Sequence, residues 1–174
     1  MTEPKANTAR PRVGLFWVVC ILAVVLDQGV KVAQRTTMTV GESIPVIDGW
    51  LHLTYRLNTG AAFSMLAGNG RLLAITAPVA LLAIYVFWRW LRPEGRMPAV
   101  ATGLIAAGAI GNGIDRLVYG SVTDIIDVRV IDFAVFNVAD SAITVGGILL
   151  AVWMVFFGGI ATLENRMERG GDGE

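Results

Sequence analysis

Four aspartates in this chain stand where a carboxylate is costly. Asp140 follows Asn137 by three residues in FNVADSAITVGG, at the opening of an apolar run that meets no further charge until Glu164. Asp124, in VTDIIDV, falls in the connection before that run, within reach of the same rim. Ionised groups are expensive at membrane depth, so carboxylates there mark function. Two carboxylates held together resist joint ionisation; one, as the anion, activates water, while the other, as the acid, polarises a carbonyl. Asn137 and Asp140 also fit a second role, in which the Asn caps a helix N-terminus and the Asp answers its dipole. Both roles stay open on these residues alone.

Other polar residues gather near the same helix ends. In GNGIDRL, Asn112, Asp115 and Arg116 occupy one helix face at i, i+3 and i+4. Snorkelling accounts for Arg116, but Asn112, one turn inside a membrane, needs a partner. Asp27 and Lys31 are spaced i, i+4 and pair on one face of another helix, easing an interfacial charge or meeting a substrate. Competing chemistries lack their residues. One histidine, His52, and one cysteine, Cys20, leave no ligand cluster for zinc and no intrachain disulfide. With no G-x-S-x-G elbow and no H-E-x-x-H, neither a serine triad nor a metal site is expected, and the chemistry needs no cofactor. Cys20 reads as a small buried hydrophobe.

These residues must be carried by membrane-spanning elements. Hydrophobic residues make up 55% of the 174 and charged ones only 16%, against roughly 25% charged in a soluble domain. Spanning hydrocarbon takes about 20 helical residues, and the runs 13–33, 72–88, 98–118 and 141–163 supply four such spans. Pro78 is a kink that neighbouring helices tolerate. The first run lacks an A-x-A cleavage site, and Val19 is too bulky to precede a lipidated cysteine, so it reads as a retained helix. In the third run Gly103, Ala107 and Gly111 recur every four residues, as do Ala109 and Gly113, so a second backbone can approach closely. The expected fold is an all-α membrane protein forming one domain over 1–174.

Basic residues set its orientation. Lys5, Arg10, Arg12, Arg89, Arg92, Arg96, Arg166 and Arg169 fall in the tails and the connection between helices 2 and 3; Arg35, Arg56, Arg71 and Arg129 fall in the other two connections. That asymmetry places the tails, 1–12 and 164–174, in the cytoplasm and the carboxylates near the outer face. Equal totals of 14 basic and 14 acidic residues leave no global field to attract nucleic acid. In the outer segment 34–71, Trp50 to Leu57 alternates with period two and reads as a strand. Leu51, Leu53, Tyr55 and Leu57 form one face; Trp50, His52, Thr54 and Arg56 form the other. Asn58-Thr59-Gly60 is a turn signal, and AAFSML offers a short apolar turn suited to the interface.

DQGVK, NTGAAFS, GNGIDRL, VTDIIDV and FNVADSAI, in that order, resemble the motifs of bacterial lipoprotein signal peptidase, or signal peptidase II. The resemblance spans the first helix through the fourth. It implies an aspartyl endopeptidase of the bacterial cytoplasmic (inner) membrane that removes the signal peptide from diacylglyceryl-modified prolipoproteins, cleaving before the lipidated cysteine. By similarity the catalytic pair is Asp124 and Asp140. Asn58, Gly60, Asn112, Arg116 and Asn137 match positions that bind substrate or order the site, and Asp27, Lys31 and Asp115 match supporting polar positions. It also implies a small outer β-sheet and a short interfacial helix within Gly41 to Leu66, and sensitivity to globomycin-type inhibitors. Gly113, where a bulkier residue is frequent, and Thr123, where valine is common, depart from the pattern. The stretch from Val128 to Val135 carries no usable motif.

Two readings from other classes compete. Intramembrane carboxylates also serve small transporters and proton channels, but here they cluster at one rim, and helices 2 and 4 offer no polar path onward. A structural scaffold leaves Asn112, Asp124 and Asp140 without a role.

Overall fold

The computed structural model describes residues 12–60, 71–131, 133–162 and 164. Helices α1 (Val13–Thr37), α2 (Thr76–Leu91, preceded by a 3-10 turn at Leu72–Ile75), α3 (Met97–Tyr119) and α4 (Val138–Phe156) make up four spans long and apolar enough to cross a membrane. Strands β1 (Ser43–Ile47) and β2 (Leu51–Asn58) lie between α1 and α2, and β3 (Val122–Val128) between α3 and α4. The chain is a multi-pass helical membrane protein with a three-stranded antiparallel sheet ordered β1-β2-β3.

Helix α3 is the axis of the bundle. It packs against α1, α2 and α4 and is mostly buried, whereas the other three turn most of their surface outward. Small residues allow this, since lipid gives helices no hydrophobic reason to associate and close backbone approach must hold them. A Cβ on Gly103 would stand 2.9 Å from the Phe16 carbonyl of α1, one on Gly111 would overlap Asp27, and one on Gly108 would overlap the Ala139 carbonyl of α4. The stripe that recurs every four residues therefore meets α1. Polarity is distributed inside out relative to a soluble protein. Trp17, Ile21, Leu22 and Val25 each expose more than half their surface, while Asp27, Lys31, Gln34 and Asp115 are at most 2% exposed. Towards the tails the interior becomes apolar: Cys20 packs with Ala106 and Ala107, flanked by Phe16, Ala23 and Val24.

Several boundaries differ from the sequence reading. α1 continues about one turn past residue 33, because Gln34 and Arg35 find partners on the sheet. α4 starts at Val138 and stops at Phe156; Gly158, with φ +83, interrupts it before residues 159–162 turn helical again. VTDIIDV is strand β3 rather than loop, paired along β2 from Leu51↔Val128 to Asn58↔Val122. The apolar turn AAFSML lies outside the described residues.

A bulge modifies the expected alternation in β2. Leu53 pairs with Ile126 and Arg56 with Asp124, so Thr54 and Tyr55 together oppose Ile125. His52 and Tyr55 are consequently both buried, and Leu57 is exposed. His52 sits 3.3 Å from Ser43 Oγ through Nδ1. Asp127 directs its carboxylate to the Thr54 hydroxyl (2.7 Å) and Arg129 Nε (3.0 Å), and Arg129 also donates to Ser43 Oγ (2.8 Å).

Candidate active site

The site forms where the sheet end of α1, the last turns of α3, strands β2 and β3 and the first turn of α4 meet. Residues 133–136 turn back along β3, the Phe136 carbonyl accepting from the N–H groups of Ile125 (3.0 Å) and Ile126 (2.7 Å). Asn137, next in the chain, is thereby set against Asp124. Its extended backbone (φ −131, ψ −178) makes it the N-cap of α4.

Asparagine amides orient both carboxylates. Asn137 Oδ1 accepts from the Asp140 N–H (2.9 Å), and Asp140 Oδ2 accepts from the Asn137 N–H (3.2 Å), completing a capping box. With Oδ1 engaged by a donor, the orientation of the amide is fixed, and Asn137 Nδ2 donates to Asp124 Oδ1 (2.7 Å) and Asn112 Oδ1 (3.2 Å). Asn112 is fixed in the same manner: its Oδ1 also accepts from Lys31 Nζ (3.0 Å), so its Nδ2 donates to Asp140 Oδ1 (2.7 Å). Asn58 accepts from the Gly60 N–H (3.0 Å) and donates to Asp124 Oδ2 (3.2 Å). Each carboxylate thus receives two hydrogen bonds, and Asn137 touches both. Burial pushes the Asp124 carboxyl up to about 6; the neighbouring Asp140 charge adds to the rise, while the Asn137 and Asn58 hydrogen bonds and the Lys31 charge oppose it.

Behind the pair lies a sealed charge cluster. Lys31 Nζ is 2.9 Å from Asp27 Oδ2 and 3.4 Å from Asp115 Oδ2, and Arg35 Nη2 is 2.8 Å from Asp115 Oδ1. The remaining oxygen, Asp27 Oδ1, accepts from the Ala139 N–H (2.9 Å), and Asp115 Oδ2 accepts from the Thr123 N–H (2.9 Å) as well as facing Lys31. Buried charges this close are tolerable only when paired and hydrogen-bonded throughout. The cluster therefore fastens α1, α3, β3 and the start of α4 to one another.

A cavity of about 590 Å³ opens in front of the carboxylates. Asn58, Asn112, Arg116, Asp124 and Asp140 line it on the polar side, and Phe133 to Phe136 with Ile143 and Val145 on the apolar side. Of the ten residues expected at the site, these five line the cavity. Asn137 is buried between the carboxylates, and Gly60 offers its carbonyl to Arg116 Nη2 at a long 3.4 Å. Asp27, Lys31 and Asp115 form the cluster behind. Asp115 does not share the cavity with Asn112 and Arg116, since its carboxylate is directed to α1 and β3.

Some contributors went unread in the sequence. Gln28 Nε2 donates to Asp27 Oδ2 (3.0 Å) and the Gly111 carbonyl (3.2 Å), and Gln34 and Arg35 grip β3. Asp27, Lys31 and Gln34 follow one helical face at steps of four and three, a signal that becomes visible only when α1 is carried past residue 33. Residues 133–135, which carry no motif, supply part of the apolar wall beside Phe136, Ile143 and Val145. The two departures also have physical partners: a Cβ on Gly113 would approach Ala77 to 2.7 Å, and the Thr123 hydroxyl accepts from Arg35 Nε (2.9 Å) and Nη2 (2.7 Å).

Comparison with known proteins agrees in extent and kind. Residues 19–156 match the family model for signal peptidase (SPase) II. A lipoprotein signal peptidase from Geobacter sulfurreducens is 45% identical over 151 residues, covering 84% of this chain and 94% of its own. One from Nostoc punctiforme is 42% identical over 141 residues, covering 79% and 87%. Two solved structures, both described as a bacterial membrane enzyme, superpose with TM-scores of 0.79 and 0.77 at 34% and 33% identity. They cover 84% and 87% of this chain and 91% and 99% of theirs. With the motifs, the four spans and the polar rim, these likenesses assign the chain to the signal peptidase II family of membrane peptidases.

Proposed function

We propose that the protein is an aspartyl endopeptidase that removes the signal peptide from diacylglyceryl-modified prolipoproteins, cleaving on the N-terminal side of the lipidated cysteine. The observation that carries this reading is the pair Asp124 and Asp140, lining one cavity and joined through Asn137. The charges gathered here are those of Asp27, Asp115, Asp124 and Asp140 against Lys31, Arg35 and Arg116. One proton on the pair makes the set neutral. The protonated member donates to the scissile carbonyl oxygen while its ionised partner takes a proton from water, whose oxygen attacks the carbonyl carbon. Collapse of the tetrahedral intermediate returns one hydroxyl proton to the former acid and breaks the C–N bond, and the amine leaves with the proton from the former base. Substrate lipid stays in the bilayer, so the substrate arrives laterally, and the apolar wall of the cavity suits an extended signal-peptide segment. A channel is disfavoured because the polar network gives way to the Cys20, Ala106 and Ala107 core.

The direct test is cleavage of a diacylglyceryl-modified prolipoprotein peptide by purified protein, with and without globomycin. Cleavage before the modified cysteine, blocked by globomycin, is expected; cleavage of the unmodified peptide at the same rate would count against the reading. Because the pair works with one proton, and Asp140 ionised beside it is part of what holds Asp124 up to about 6, kcat/KM is expected to fall as pH rises through that value. The apparent pKa belongs to the pair. A flat profile between pH 5 and 8 would argue against a shared proton.

The proposed location is the bacterial inner membrane, with both termini cytoplasmic and the sheet outside. The distribution of basic residues supports this orientation. In a Cys20→Ala background, cysteine at position 50 is expected to react with a membrane-impermeant reagent in intact cells and cysteine at position 92 to be protected. The reverse pattern would invert the topology.

A further inference from the structure

The last turn of α1 reaches β3 at the residue that carries the carboxylate. Gln34 is 2% exposed, and its Nε2 donates to the Asp124 carbonyl oxygen (3.0 Å) and, at 3.5 Å, to the Thr54 carbonyl. These two carbonyls lie beside the β2 bulge, where the pairing register with β3 shifts. Ile125, the next residue, gives its N–H to Phe136 instead of β2. A tie from outside the sheet therefore holds the backbone at a point where the ladder is irregular. The adjoining Arg35 extends the grip to residue 123, donating to the Thr123 hydroxyl with both Nε and Nη2 while its guanidinium carbon lies 4.0 Å over the Tyr119 ring.

The amide of Gln34 cannot be turned around, because Oε1 would then face two carbonyl oxygens. As oriented, Oε1 is buried with no hydrogen-bond partner among the described residues. An orphaned buried acceptor costs stability, so packing alone would favour an apolar residue of similar length. What the glutamine contributes beyond packing is the hydrogen bond to residue 124.

We infer that Gln34 is a positioning residue for Asp124, fixing the backbone of β3 so that the carboxylate meets Asn137, Asn58 and the cavity. This role rests on the dyad proposed above. Gln34→Met keeps the length of the side chain and removes both the donor and the orphan. The variant is expected to melt at or above the temperature of the unaltered enzyme, yet to cleave diacylglyceryl-modified prolipoprotein peptide with kcat lowered roughly tenfold to a hundredfold and KM changed by less than about twofold, the scale on which small misplacements act. Its alkaline limb should move to higher pH, since an Asp124 that drifts from the Asn137 and Asn58 donors holds its proton longer. Unaltered kcat, or a melting temperature that falls in step with activity, would overturn the inference and leave Gln34 a structural residue. Asp124→Asn and Asp140→Asn run in the same assay separate the two claims. If both remain inactive while Gln34→Met turns over normally, only the positioning role fails; if either is active, the dyad itself fails.

Discussion

Asp124→Asn and Asp140→Asn are each expected to lose hydrolysis by about 10²- to 10⁴-fold or more, the scale of general acid and base contributions, while still folding and binding globomycin. The loss cannot be charged to capping. The Asn137 side chain accepts from the backbone N–H of residue 140, a bond that Asp140→Asn leaves in place. What Asp140→Asn does lose is one acceptor: its two oxygens receive the Asn112 amide and the Asn137 N–H, and an asparagine must turn its own NH₂ toward one of them. The resulting donor facing a donor costs about 1–3 kcal/mol, partly offset by removal of a like charge beside Asp124. Asp124→Asn faces the same constraint between the Asn137 and Asn58 amides. Both variants should therefore melt somewhat earlier but cooperatively. On the proposed dyad the two residues act as one unit, and the double variant should then be little slower than either single one. Near-normal turnover by a folded single variant would end the dyad reading and leave Asp140 only its cap.

On the sequence alone cap and catalyst are rival roles for Asp140; the structure shows the cap, since one carboxylate oxygen closes the capping box, and the other oxygen, which faces Asn112, leaves the proposed catalytic role compatible with it. What was legible followed from desolvation. Asp27, Lys31, Asn112 and Asp115 sit in or beside apolar runs where each needs a partner, so their convergence was forced. Less legible was anything decided by pairing between distant segments. In β3, Asp124 shares a face with Val122 and Ile126, and Asp127 shares the other with Ile125, so neither face has one polarity and the period-two signal vanishes. The bulge in β2 leaves no mark in LHLTYRLN, because it answers a register set by β3. Gln34 and Arg35 looked like the start of a loop because hydropathy ends there, but the helix is continued by hydrogen bonds to a strand some 90 residues onward.

Lys31→Met is expected to be among the most destabilising single substitutions in the chain. At 1% exposure, Lys31 Nζ serves Asp27 Oδ2, Asp115 Oδ2 and Asn112 Oδ1 with its three protons. Methionine fills the space but leaves two buried carboxylates with one cation, Arg35, which reaches only Asp115. Breaking a buried ion pair in this way costs about 3–5 kcal/mol, because the charge left behind is uncompensated. For a chain of this size that is a fall of roughly 10 °C or more in melting temperature. Activity should fall further than folding alone requires, since Asn112 loses the ammonium that helps fix its amide toward Asp140. The charge argument makes a sharper demand. Adding Asp27→Asn to Lys31→Met restores neutrality, so the double variant should melt above the Lys31→Met single, although it has lost one more native group. Strict additivity in that cycle, or a Lys31→Met protein that melts within about 2 °C of the unaltered one, would show that the cluster is not held by charge. If the double variant instead regains stability but not turnover, Lys31 has a second task, to orient Asn112, that neutrality alone does not fulfil.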